Sequence, residues 1–155
     1  MKVERRRALL VAALALSACG LAFQEPTVRV AEARVASLGL QGGMLVVAVQ
    51  VENPNRYALE GEDLSYRLSF RDEAGEDPDW VTLAEGGIAQ PTRIEPGGSG
   101  LMAVEVPFGF ASLTAALGRL LWHGELEYRF TGALTVGTPV GKMRVPFDER
   151  GVLHR

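Results

Sequence analysis

Few residues in this chain are of a type and spacing that could do chemistry. There is one cysteine and there are two histidines, so a Cys/His zinc site and an intrachain disulfide are excluded on ligand count. His123 would have to act as a lone general base; no nucleophile motif surrounds it, and no G-x-S-x-G or H-E-x-x-H occurs. Its better role is to interact with the last carbonyls of a helix. His154 lies near the C-terminus. Asp72, Glu73, Glu76, Asp77 and Asp79 crowd one short stretch, but their spacing does not fit a calcium loop, and a solvated hairpin loop is the expectation. Pro96-Gly97-Gly98-Ser99-Gly100 is glycine-rich yet lacks the Lys-Ser/Thr of a phosphate loop, so it is read as a turn. Trp80 and Trp122 are expected to close core edges rather than to line a sugar-binding surface. The sequence therefore predicts no catalytic residue, no metal and no cofactor.

The cysteine has a more specific setting. The chain opens with Lys2, Arg5, Arg6 and Arg7, followed by an almost wholly apolar run from Ala8 to Ala18. That run is too short to span a bilayer, which takes about 20 residues. It has the form of an export signal. It ends Leu16-Ser17-Ala18-Cys19-Gly20, which resembles the bacterial lipobox. In a lipobox the chain is cut before the cysteine and lipid is attached to it. The expectation is a signal peptide over residues 1–18, lipid on Cys19 and a tether over 19–26. Gly20, rather than Asp, at the next position favours the periplasmic side of an outer membrane over the inner membrane. Arg6-Arg7 before Leu9-Leu10 resembles a twin-arginine signal, which would change the route and not the destination.

Whole-chain charge is -3 over 155 residues. Residues 1–18 carry four basic residues and one acidic residue, so the remaining 137 residues hold 12 basic and 18 acidic, or -6. That balance does not suit nucleic acid or anionic head groups, so acyl chains rather than the protein surface should make the membrane attachment.

The remaining sequence must build elements to position anything else. A strand begins at Thr27, and its apolar phase switches at Val30-Ala31, which predicts a bulge. Met44–Glu52 alternates Leu45, Val47, Val49 and Val51 on one face; the other face starts apolar, so a central strand covered on both sides at first is expected. Asn53-Pro54-Asn55 stops it, because Pro54 has no ladder N–H and Asn side chains can bond nearby backbone. Further strands are predicted at 64–70, 80–90 (weakened at Gly86-Gly87), 101–108, 125–136 and, briefly, 142–147. A helix is predicted over Ser112–His123, with Leu113, Leu117, Leu120 and Leu121 as its apolar stripe and Gly124 as its C-terminal glycine. The sum is a mainly β chain: an antiparallel β-sandwich of about seven strands with one short α-helix before the penultimate strand.

These features together resemble the late embryogenesis abundant group 2 family, whose unit is the water-stress and hypersensitive-response (WHy) domain. The resemblance is carried by Leu45–Val51 (LVVAVQV), the following Glu52-Asn53-Pro54-Asn55, the alternating strand LSYRLSF, the strand Met102–Val106 and a helix before the last strands. It covers residues 27–148, with 149–155 left as a tail. The resemblance implies an immunoglobulin/fibronectin-III-like sandwich, a role in desiccation, cold or heat stress, and no catalytic residues. It gives Asn53, Pro54 and Asn55 a structural role at a strand exit ahead of a ligand-contacting one. The expected partners are a membrane through the N-terminal lipid, and unfolded client proteins or one envelope protein docked on an edge strand.

Overall fold

The computed structural model describes residues 22–72, 79–112 and 123–154. Seven strands follow one another: β1 (Thr27–Leu38), β2 (Gly42–Glu52), β3 (Leu59–Asp72), β4 (Asp79–Ile94), β5 (Ser99–Gly109), β6 (Glu125–Thr138) and β7 (Gly141–His154). They form two antiparallel sheets, one of three strands in the order β1-β2-β5 and one of four in the order β4-β3-β6-β7. The predicted helix falls almost entirely on residues outside those described. Ser112, its expected first residue, closes a 3-10 turn that starts at Phe110. Gly124 has φ 75°, the left-handed conformation that glycine adopts without strain.

Period-two alternation explains the two layers. Leu45, Val47, Val49 and Val51 of β2 are buried, as are Met102, Val104 and Val106 of β5. Across the sandwich, β3 buries Leu64, Tyr66, Leu68 and Phe70, and β6 buries Leu126, Tyr128, Phe130, Leu134 and Val136. At the centre Tyr66, Phe130 and Phe147 stack in a column, with ring centroids 5.7 Å and 5.4 Å apart. Phe130 has no exposed surface, and full burial of such a ring stabilises by about 1.5–3 kcal/mol.

The predicted bulge in β1 is present: Val30 pairs Val49 while Glu32 pairs Ala48, leaving Ala31 extra. A second shift, between Val35 and Ser37, was not expected. Several boundaries also differ. The outer face of β2 is half-buried along its whole length, so among the described residues its start is no more covered than its end. β3 begins at Leu59, five residues before the predicted Leu64, because a bulge at Glu62 breaks the alternation that marks a strand. β4 runs on through Pro91 to Ile94; Pro91 sits in a register shift on an edge strand, where no ladder N–H is required. The Gly86-Gly87 weakness is no interruption. Gly86 leaves room for the Tyr66 ring, whose Cζ would lie 3.2 Å from any added Cβ. β7 is the largest correction. It extends from the predicted 142–147 to Gly141–His154, so residues 149–154 pair with Glu125–Phe130 and are no tail. Glu149 and Gly151 fall on its inward face and hide the apolar period.

Antiparallel pairing places the start of β1, the end of β2, the start of β3, the end of β4, the start of β5, the end of β6 and the start of β7 at one pole. The Asn-Pro-Asn segment lies there.

Candidate functional site

β2 ends where Pro54 removes a ladder donor, and the two flanking asparagines turn inward. Asn53 and Asn55 are 2% and 3% exposed, and with Ser69 they are the buried polar residues among those described. Burying a side-chain amide is costly unless its groups are bonded, and here they are. The Asn53 Nδ2 group donates to the carbonyls of Tyr57 at 2.8 Å, Ile94 at 3.2 Å and Glu95 at 3.2 Å. Its Oδ1 accepts from the Asn55 backbone N–H and from Asn55 Nδ2, both at 3.0 Å. Asn55 Oδ1 accepts from the Gln24 N–H, and Asn55 Nδ2 donates to the Gln24 carbonyl, both at 2.7 Å.

Backbone bonds complete the junction. The Asn53 N–H donates to the Gly98 carbonyl at 2.9 Å, and the Gly97 N–H to the Asn55 carbonyl at 3.2 Å. Gly97 has φ 64°, as the tight turn after β4 requires. Four stretches of chain meet here: the segment before β1, the β2–β3 connection, the end of β4 and the β4–β5 turn. The arrangement is a polar lock between the two sheets. Its amides are spent on protein groups, so it has the chemistry of a joint and not of a reaction centre. A shallow recess of about 410 Å³ opens beside it, lined in part by Thr27, Glu52, Pro54 and Ser99.

The residues before β1 were expected to be a tether over 19–26. Instead, Phe23 packs against the core, Gln24 is held by Asn55, and Pro26 is buried. An isolated aromatic ahead of the first strand was the signal for this docking. Cys19 and its neighbours Leu16, Ser17, Ala18 and Gly20 lie outside the described residues, as do Trp122 and Glu73, Glu76 and Asp77.

The other candidates do not converge. His123 is exposed, and His154 Nδ1 lies 3.5 Å from Glu125 at the surface. Among the described residues no group of three His, Cys, Asp or Glu could hold a metal ion. The Trp80 ring is covered by the guanidinium groups of Arg129 at 6.0 Å and Arg150 at 5.7 Å, so cations occupy the face a sugar would need. Around it the outer face of the four-stranded sheet carries ion pairs: Arg67–Glu85 at 3.0 Å, Arg71–Glu127 at 2.7 Å, Arg129–Asp148, and Lys142–Glu62 at 2.5 Å. The Arg129 guanidinium holds the Asp148 carboxyl below its ordinary range, and Glu62 raises the Lys142 ammonium. The outer face of the three-stranded sheet has a different character, with Met44, Val46, Ala48, Leu101, Ala103 and Pro107 along β2 and β5.

The fold has known parallels. The chain is similar to the solution structure of AT1g01470 from Arabidopsis thaliana, at 18% identity and a TM-score of 0.68, covering 86% of this chain and 84% of that one. It is also similar to a putative late embryogenesis abundant (LEA) protein, At2g46140.1, at 20% identity and a TM-score of 0.56, covering 99% and 88%. A protein from Archaeoglobus fulgidus matches at 12% identity and a TM-score of 0.54, over 83% and 95%. No curated protein matches by sequence. The family model for late embryogenesis abundant protein matches residues 48–151, from the middle of β2 almost to the end of β7, and so includes Asn53, Asn55 and the β4–β5 turn but not Gln24. The chain belongs to the late embryogenesis abundant family, group 2.

Proposed function

We infer that this chain is a lipid-anchored, non-enzymatic envelope protein whose WHy-type, immunoglobulin/fibronectin-III-like domain shields partly unfolded proteins during desiccation, cold or heat. Lipid on Cys19 would hold it at the membrane, on the periplasmic side of an outer membrane. Family membership supports a stress-related, non-enzymatic role. The observation that carries the shielding mechanism is the far half of β1. It is an edge strand, and it leads into an apolar tip: Val35 is 44% exposed, Leu38 67%, and Leu40 fully exposed. Exposed apolar side chains beside an unpaired edge offer a weak, sequence-tolerant surface to unfolded chains. The net charge of -6 over residues 19–155 keeps the domain itself from associating.

The rival role is an adaptor that adds one partner's strand to this edge. The register shifts after Val30 and Val35 count against it, because they break the regular row of edge hydrogen bonds that such a strand would need.

Two measurements test the reading. Cys19→Ala should release the protein from the membrane fraction; unchanged membrane association refutes the anchor. A heat- or freeze-labile enzyme should aggregate less beside the wild-type chain than beside a Leu38→Glu/Leu40→Glu variant. Equal aggregation with and without the chain refutes shielding. A single stoichiometric partner in cross-linked membranes would favour the adaptor.

A further inference from the structure

We propose that the Asn53–Asn55 pole faces a lipid bilayer, and that the grip of Asn55 on Gln24 stands the domain end-on to it. The proposal rests on the reading of Cys19 as the lipidated residue. Its first support is the path of the chain. Phe23 is packed against the core and Gln24 is bonded through both its backbone groups. Only Gly20, Leu21 and Ala22 separate Cys19 from Phe23. Four Cα–Cα steps reach at most about 14 Å. β6 and β7 each have 14 residues, which makes the domain about 46 Å long. A lead of that length holds this pole within about 14 Å of the membrane and cannot turn the far pole to face it.

The second support is the surface chemistry of this pole. Pro54, Pro96 and Pro139 are exposed, and Val140 is 69% exposed. The nearby charges are mostly paired: Arg93 with Glu60 and Glu95, and Lys142 with Glu62. Glu25, Glu52 and Arg56 add two negative charges and one positive, and because Arg93 serves two glutamates these groups sum to -2. Such a weakly acidic surface suits zwitterionic rather than anionic head groups. The third support is the lock itself: buried Asn55 holds Gln24 by two part-buried hydrogen bonds, which fix Gln24 relative to both sheets. The same geometry carries Leu38 and Leu40 to the opposite pole, pointing into the aqueous space.

The test uses the full-length chain, produced in a bacterium and extracted from its membranes. Mass spectrometry of the N-terminal peptide first reports the state of Cys19. The protein is then reconstituted in a supported phosphatidylcholine bilayer, and the protein layer is measured by neutron reflectometry. An end-on domain gives a layer about 46 Å thick, set by strand length. A domain lying flat gives roughly half that, set by two sheets about 10 Å apart and their side chains. Ten Gly/Ser residues inserted between Ala22 and Phe23 leave lipid and fold in place, and should reduce the thick layer to a broad, thinner one. A thin layer from the lipidated wild-type chain overturns the proposal. So does an insertion variant that stays as thick as the wild type. An unmodified Cys19 overturns the lipoprotein reading alone; coupling that thiol, the only one in the chain, to a maleimide lipid then tests the orientation with the same two outcomes.

Discussion

The side-chain amide of Asn55 bonds the backbone of Gln24 in both directions, each at 2.7 Å, across 31 residues of sequence. It does for the segment before β1 what a neighbouring strand would do. Asn55→Ala should therefore cost about 2–3 kcal/mol, because it leaves buried donors and acceptors unmatched. Asn53→Ala should cost more, since Asn53 serves three carbonyls from two different connections. The two amides touch each other, so the double variant should lose less than the two single losses combined. Urea midpoints for the four proteins check this; additive losses would show that the pair is not one unit.

What the sequence made legible follows from period. β2, β5 and the first half of β6 alternate without interruption, and their inward residues could be named in advance. Bulges and inward polar positions hid the rest. Glu62 masks the start of β3, Pro91 the end of β4, and Glu149 with Gly151 the second half of β7. The Asn-Pro-Asn tripeptide marked where the chain turns. Its partners did not show, because Gln24, Ile94 and Glu95 are distant in sequence and are used through backbone groups, which carry no residue signature.

β7 tests that reading. Leu153 is buried opposite Leu126, in a segment that sequence pattern alone assigns to a tail. Leu153→Ala should lower stability by about 2 kcal/mol, the low end for a buried leucine because it lies near a strand end. A neutral result by thermal or urea melting would return residues 149–155 to the status of a tail.

Two glycines under aromatic rings differ in how much space they have. A Cβ on Gly132 would stand 1.9 Å from the Ser65 carbonyl oxygen and 2.7 Å from the Phe147 ring, and backbone in a central strand cannot yield. A Cβ on Gly86 would meet the Tyr66 hydroxyl at 3.0 Å, on an edge strand that can shift. Gly132→Ala should thus cost about 3 kcal/mol or prevent folding, while Gly86→Ala should cost about 1 kcal/mol. Soluble yield and melting temperature of the two variants report the difference, and similar values would contradict it.

Asp148 gives the fold a defined acid response. Its carboxyl is held below the ordinary value of 3.8, first by the hydrogen bond from Arg129, against an opposing effect of partial burial. A carboxyl lowered on folding adds stability that is complete above its unfolded value and is lost as pH falls through the lower folded value. Asp148→Asn should therefore melt below the wild type at neutral pH by a constant margin down to about pH 5. That margin should close as pH falls below 3.8, where the wild type loses the charged partner that the variant never had. The pair is part-exposed, so the margin should be small and should shrink in high salt. Melting temperatures at pH 7, 5, 3 and 2, each at two salt concentrations, decide the matter. A margin that stays the same at pH 2 would mean that the loss comes from the fit of the amide at position 148 and not from the carboxylate charge.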